Sequence, residues 1–151
     1  MAAGIEELAP QEVETFLAEQ IVGRIGCHHD GSTYVVPVIY AYAEGSVHVF
    51  TVEGRKVDMM RASPSVCFEV DEYDYDGRGS WRSVIADGTF EELRGEDADR
   101  VLALLAERFR RGRRPDGDEP GAAERRPRGG GRPGVAFRIR LAERTGRAVR
   151  R

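Results

Sequence analysis

The sequence predicts a mainly β fold: an antiparallel sheet closed or nearly closed into a barrel, with helices packed outside it. Three observations carry that expectation. Runs rich in β-branched and aromatic residues outnumber runs of helical periodicity along the 151 residues. Most links between those runs are short enough for hairpins. An Asp87-Gly88 step interrupts the longest run, and small barrels turn corners with such bulges.

The elements follow in order. Pro10–Glu19 reads as a helix: Pro10 suits the first turn, Glu12 and Glu14 suit the positive end, and Val13, Phe16 and Leu17 share a face. Residues 21–28 read as a strand ending at the turn cluster His29-Asp30-Gly31-Ser32. Residues 34–42 read as a second strand, with Pro37 demanding an edge or a bulge. Glu44-Gly45-Ser46 then turns the chain into residues 47–51, so these two runs form a hairpin. Arg55–Ala62 is helical, facing Val57, Met59 and Met60 inward, and Ser63-Pro64 ends it. Ser65–Tyr73 alternates cleanly, with Val66, Phe68 and Val70 on one face. Trp81–Leu93 is the long strand that carries Asp87-Gly88. Glu96–Arg111 has an apolar stripe and arginines at its negative end. Residues 113–134 are Arg, Gly, Pro and Glu with little apolar content, a flexible loop by composition. Residues 135–141 resume strand alternation, and 144–151 read as a frayed basic tail. One domain over 1–143 is expected, interrupted by that loop.

Charge is unevenly spread. The formal net charge is −3, yet residues 106–151 hold 15 arginines and 6 carboxylates, a net +9, which leaves −12 on the front. An acidic folded body disfavours polyanions, and the basic loop lacks the interleaved aromatics that stack on bases, so nucleic acid is not the expected partner, and an RNA-associated domain working through that loop is a remote alternative. No apolar run reaches the roughly 18 residues of a membrane span. The acidic N-terminus lacks the pattern of a signal peptide. Cys27 and Cys67 are far apart, without Cys-x-x-Cys spacing. A cytoplasmic protein without a disulfide framework or structural zinc is expected.

Two places could carry chemistry. Thr51-Val52-Glu53-Gly54-Arg55-Lys56 sets a hydroxyl at a strand end, a glycine, then two cations in the first turn of a helix. Lys56 is the chain's one lysine. Cations there oppose the helix dipole, and with exposed N–H groups they suit an anion, above all a phosphate. Two solvated charges on a loop are the plainer alternative. The second place is the 34–42 strand with Trp81-Arg82-Ser83-Val84, which offers apolar walls for a flat ligand or simply sheet core. His28 and His29 are neighbours on a strand and point apart, so a shared metal is not expected. The run Asp71, Glu72, Asp74 and Asp76 lacks EF-hand spacing and reads as a solvated loop. Cys27 and Cys67 read as small core fillers.

Taken together, YVVPVIYAYAEGSVHVFTVEGRKVDMMRASPSVCFEVD followed by WRSVIADGTFEEL and a helix closely resembles the pyridoxamine 5′-phosphate oxidase-like, FMN-binding split-barrel superfamily, in its small branch that includes nitroimidazole-resistance proteins. The resemblance covers residues 8–111 and the strand at 135–141. It implies a six-stranded antiparallel split barrel that forms a homodimer, with FMN in clefts between the subunits. It implies that Val38, Ile39 and Tyr40 line the flavin ring. Thr51, Arg55 and Lys56 would hold its phosphate. Trp81, Arg82, Ser83 and Val84 would reach the cleft from the partner subunit. The implied activity is an FMN-dependent oxidoreductase acting on a nitro compound, a quinone or another hydride acceptor. Nothing in the sequence marks a pyridoxamine phosphate pocket. The resemblance also leaves room for F420 in place of FMN. A carrier or sensor of flavin or haem is a further alternative, with His28, His29 or His48 as the haem ligand.

Overall fold

A computed structural model describes residues 4–75, 77–111 and 132–151. The strands are β1 (Glu6–Glu7), β2 (Val22–His29), β3 (Ser32–Ile39), β4 (Ala41–Ala43), β5 (Ser46–Val52), β6 (Ser65–Tyr73), β7 (Trp81–Leu93) and β8 (Gly134–Val149). The helices are α1 (Pro10–Glu19), α2 (Arg55–Ala62) and α3 (Glu96–Arg111). The strands form one antiparallel sheet in the order β3-β2-β6-β7-β8-β5-β4, with β1 added to β8.

The two ends of that path, β3 and β4, are consecutive in the chain and meet at Tyr40. The sheet therefore curls round until its edges are joined covalently, and this makes the barrel. Discounting the two-residue β1 and the three-residue β4 leaves the six long strands of a split barrel.

Tyr40 is fully buried. Its N–H donates to the Ile21 carbonyl at 3.0 Å and its hydroxyl to the Leu17 carbonyl at 2.6 Å. Its ring meets Phe68 edge-on at 5.0 Å. The expectation of one strand over 34–42 is corrected here. Ser32–Ile39 pairs with β2, and only Ala41–Ala43 forms the hairpin with β5. The inward turn of Tyr40 makes the switch, and an unbroken run of β-favouring residues hides it. Pro37 does lie on the terminal strand of the path, as its missing N–H requires.

The core lies inside the curl, built from Ile25, Phe68, Val70, Val84, Val47, Val49, Phe137 and Ile139. Val13, Phe16 and Leu17 of α1 cap the end where β7 begins. Val57, Met59 and Met60 of α2 cap the end where β7 finishes. The bulge falls at Asp87-Gly88, where the β7–β8 register shifts. A Cβ on Gly88 would stand 2.4 Å from Ile139 Cγ2, so only glycine lets β8 pass.

Two further expectations change. Residues 144–151 are not a frayed tail: β8 continues to Val149, pairing Arg144–Val149 with Trp81–Ala86. The inward positions there are Gly146 and Ala148, too small to give an apolar alternation. Arg144 and Arg150 flank those two positions on the same face and pair with Glu14 at 2.7 Å and with Glu6 at 2.9 Å. The domain thus runs past residue 143, while most of the 113–134 loop and Asp76 lie outside the described residues. Cys67 is not a core filler. Cys27 is buried, but Cys67 is exposed on the outer face.

Candidate functional site

The site grows from the end of β5. Thr51 and Val52 pair with Val135 and Gly134 of β8, and the Glu53 N–H donates to the Pro133 carbonyl at 3.1 Å. The chain turns at Gly54, whose carbonyl accepts from the Asp58 N–H at 3.1 Å to close the first turn of α2. Arg55 and Lys56 therefore stand where N–H groups lack helical partners.

The acid within the motif is already committed. Glu53 takes a two-pronged bond from Arg61, at 2.7 and 2.8 Å, and Arg61 also reaches Glu92. The Arg61 guanidinium holds the Glu53 carboxyl below its usual range. No carboxylate pairs with Arg55 or Lys56 among the described residues, although Arg24, Arg82, Arg138, Arg144 and Arg150 all have one. The Arg55 guanidinium lies over the Tyr34 ring instead, 4.6 Å from its centroid. Lys56 is half-buried, and burial pushes its ammonium pKa down with no acid to oppose it. An anion arriving there gains two cations and an α-helix N-terminus without first displacing a carboxylate.

Tyr34 leads along β3 to the ring-facing residues expected from the sequence. Tyr34 and Ile39 lie about 17 Å apart at the usual strand rise. Val38 and Tyr40 turn their side chains inward, while Ile39 faces out at 49% exposure. The other side of β3 has no partner strand among the described residues. What it presents outward is therefore main chain plus Ile39.

The second expected set lies elsewhere in the chain. Trp81 pairs with Val149 and Thr51 with Val135, so the two sets are fourteen residues apart along β8, roughly 45 Å of strand. Arg82 is held by its own chain, over the Phe16 ring at 4.5 Å and on Glu72 at 2.6 Å. Val84 is core, and Trp81 and Ser83 are half-buried. One subunit thus brings Arg55 onto Tyr34 of β3, with Thr51 and Lys56 near Arg55 along the chain, and holds Trp81–Val84 on β7, three strands along the sheet from β3. Tyr34 was legible in the sequence only as a strand residue, because its place beneath Arg55 depends on how α2 docks.

The outer face of β3, β2, β6 and β7 is unusually apolar for a surface. Val22 opposes Ile39, Gly26 opposes Val35, and Glu69 opposes Ile85. Val22, Val35, Ile39 and Ile85 are all exposed. Arg24 bridges Glu69 and Asp71 across the middle of this face, at 3.1 and 2.7 Å. His28 and His29 bond Thr33 and Ser63, at 2.9 and 2.8 Å. Among the described residues no three His, Cys, Asp or Glu side chains gather as metal ligands, and no helix is long and apolar enough to cross a membrane.

Comparison with known proteins identifies the family of this fold. The pyridoxamine 5′-phosphate oxidase family model matches residues 9–148. A crystal structure described as an FAD-binding protein from Mesorhizobium loti is 33% identical, covering 97% of this chain and 99% of that one, with a TM-score of 0.74. An uncharacterised protein of Rhizobium meliloti is 28% identical over 96% of this chain and 95% of its own. A candidate 5-nitroimidazole antibiotic resistance protein from Bacteroides thetaiotaomicron shares the fold at 16% identity and a TM-score of 0.69, covering 96% of this chain and 89% of that one. With a match that spans nearly the whole barrel, the chain belongs to the pyridoxamine 5′-phosphate oxidase family.

Proposed function

We propose that this protein is an FMN-dependent oxidoreductase that works as a homodimer, with a flavin held in each cleft between subunits and a small hydride acceptor as substrate. One observation carries the reading: Arg55 and Lys56 stand uncompensated at the start of α2, next to a strand edge long enough for a phosphate-bearing, flat ligand. That donor set fits a flavin phosphate, which brings the negative charge the two cations lack. The FAD-binding description of the Mesorhizobium loti structure supports a flavin of some kind.

The flavin would supply two-electron transfer through its ring. The chain's own residues bind and orient. Arg55 and Lys56 neutralise the phosphate, Thr51 offers a hydroxyl, and burial of Lys56 strengthens its pull by lowering the local dielectric. The main chain of β3 at Ile39, which turns away from β2, offers hydrogen-bonding groups to a ring edge, with the Ile39 side chain as an apolar contact.

Support for the dimer comes from two sides. The exposed Val22, Val35, Ile39 and Ile85 form a patch of the kind that another protein surface covers. Trp81–Val84 lies fourteen residues along β8 from the level of Thr51, which suits a site completed by a second copy of the chain.

The test is reconstitution with FMN, bleaching by dithionite under nitrogen, and reoxidation by a quinone or nitro compound. The reading expects a bound flavin spectrum, full bleaching and reoxidation within seconds. Failure to bind FMN sinks it. Binding without reoxidation leaves a carrier.

A further inference from the structure

We infer that Arg132 is a third phosphate-binding cation of this site, supplied by the far end of the sequence. The inference rests on the flavin reading above and extends it to a residue outside the Arg55-Lys56 motif.

Arg132 opens the last described stretch, two residues before β8. Its position is tied by main-chain bonds: the Glu53 N–H donates to the neighbouring Pro133 carbonyl at 3.1 Å, and Val52 pairs with Gly134. The Arg132 guanidinium is thereby laid over the Glu53–Gly54 turn. Its Nη1 donates to the Glu53 carbonyl at 3.4 Å and stands 3.9 Å from where a Gly54 Cβ would be.

Electrostatics makes this a binding group. Three cations, Arg55, Lys56 and Arg132, converge on a single turn, and none of them has a carboxylate partner among the described residues. The one acid in the turn, Glu53, is consumed by Arg61. A guanidinium also offers several donors in a fixed fork, and among the described residues Arg132 spends a single long one, on Glu53. The remaining donors suit the oxygens of a phosphate ester, the shared chemistry of FMN and FAD.

The experiment compares FMN, FAD and riboflavin binding to wild type, Arg132→Ala, Arg132→Lys and the double variant Arg55→Ala/Lys56→Ala, by quenching of flavin fluorescence. Riboflavin has the ring and no phosphate. The inference expects Arg132→Ala to weaken FMN or FAD about tenfold or more, to leave riboflavin unchanged, and to be partly rescued by lysine. If Arg132 holds the phosphate that FMN and FAD share, the loss is the same for both; a larger loss for FAD assigns Arg132 to the second phosphate. Equal weakening of riboflavin, or no weakening of either phosphorylated flavin while the double variant loses both, overturns the role of Arg132 and leaves the flavin reading standing. Wild type that takes up none of the three flavins removes the reading itself.

Discussion

His48 shows how much a single residue can carry unseen. It lies on β5 with its side chain turned away from the barrel core, opposite Ala41 of β4 and Arg138 of β8, on the side where α3 brings Arg100. It is 4% exposed, and among the described residues its Nδ1 has no hydrogen-bond partner. Burial pushes its pKa below the usual histidine value, and the charges of Arg138 and Arg100 add to the push. The unfolded chain therefore binds a proton more readily than the folded one. Stability is complete above about pH 6.5 and falls as pH drops through that value toward the lower folded pKa. Melting followed from pH 7.5 to 5 should show a larger loss for wild type than for His48→Gln; equal losses would mean that His48 stays neutral or finds a partner. A sequence can flag such a histidine but cannot show that α3 covers it. The same holds for Tyr42, whose phenol is pushed up to about 12 by burial and by its bond to Glu14. Glu53 is the instructive case. In the sequence it is one acid beside two bases, and only the docking of α2 reveals that Arg61 takes it.

At the scale of elements, strongly patterned segments were legible: α1, α2, α3, β6 and β7 have the ends that caps, breakers and alternation predict. What escaped was decided by non-local pairing. Tyr40 divides one β-favouring run between two partners, and no local preference marks where. The last strand was hidden because Gly146 and Ala148 face inward, where Leu8 and Val13 need the space: a Cβ on Gly146 would come within 2.9 Å of both. Removing residues 144–151 should therefore abolish cooperative unfolding, since it strips Trp81–Ala86 of its partner and uncovers α1. A truncated chain that melts like the full one would restore the tail. At the corner, Gly88→Val should cost about 1–3 kcal/mol by overpacking against Ile139, read from urea unfolding. An unchanged midpoint would show that β8 shifts freely there.

The whole molecule is a barrel whose cationic turn and aromatic Trp81 end lie far apart along one strand. A second copy brings unlike ends together if the apolar outer face is the contact. The order of the motifs was enough to name the family, through resemblance rather than through composition. The proposed dimer was reachable only through resemblance, since an exposed apolar row looks like core in a sequence. Val35→Glu with Ile85→Glu places four like charges across such a contact and should yield a monomer that releases flavin. Sedimentation equilibrium watched at a flavin wavelength tests the account most directly. With FMN added to wild type, the account predicts that flavin colour sediments at twice the 16.8 kDa chain mass and that Val35→Glu/Ile85→Glu separates colour from protein. Flavin that stays unsedimented with wild type, or travels with a single chain, would contradict it.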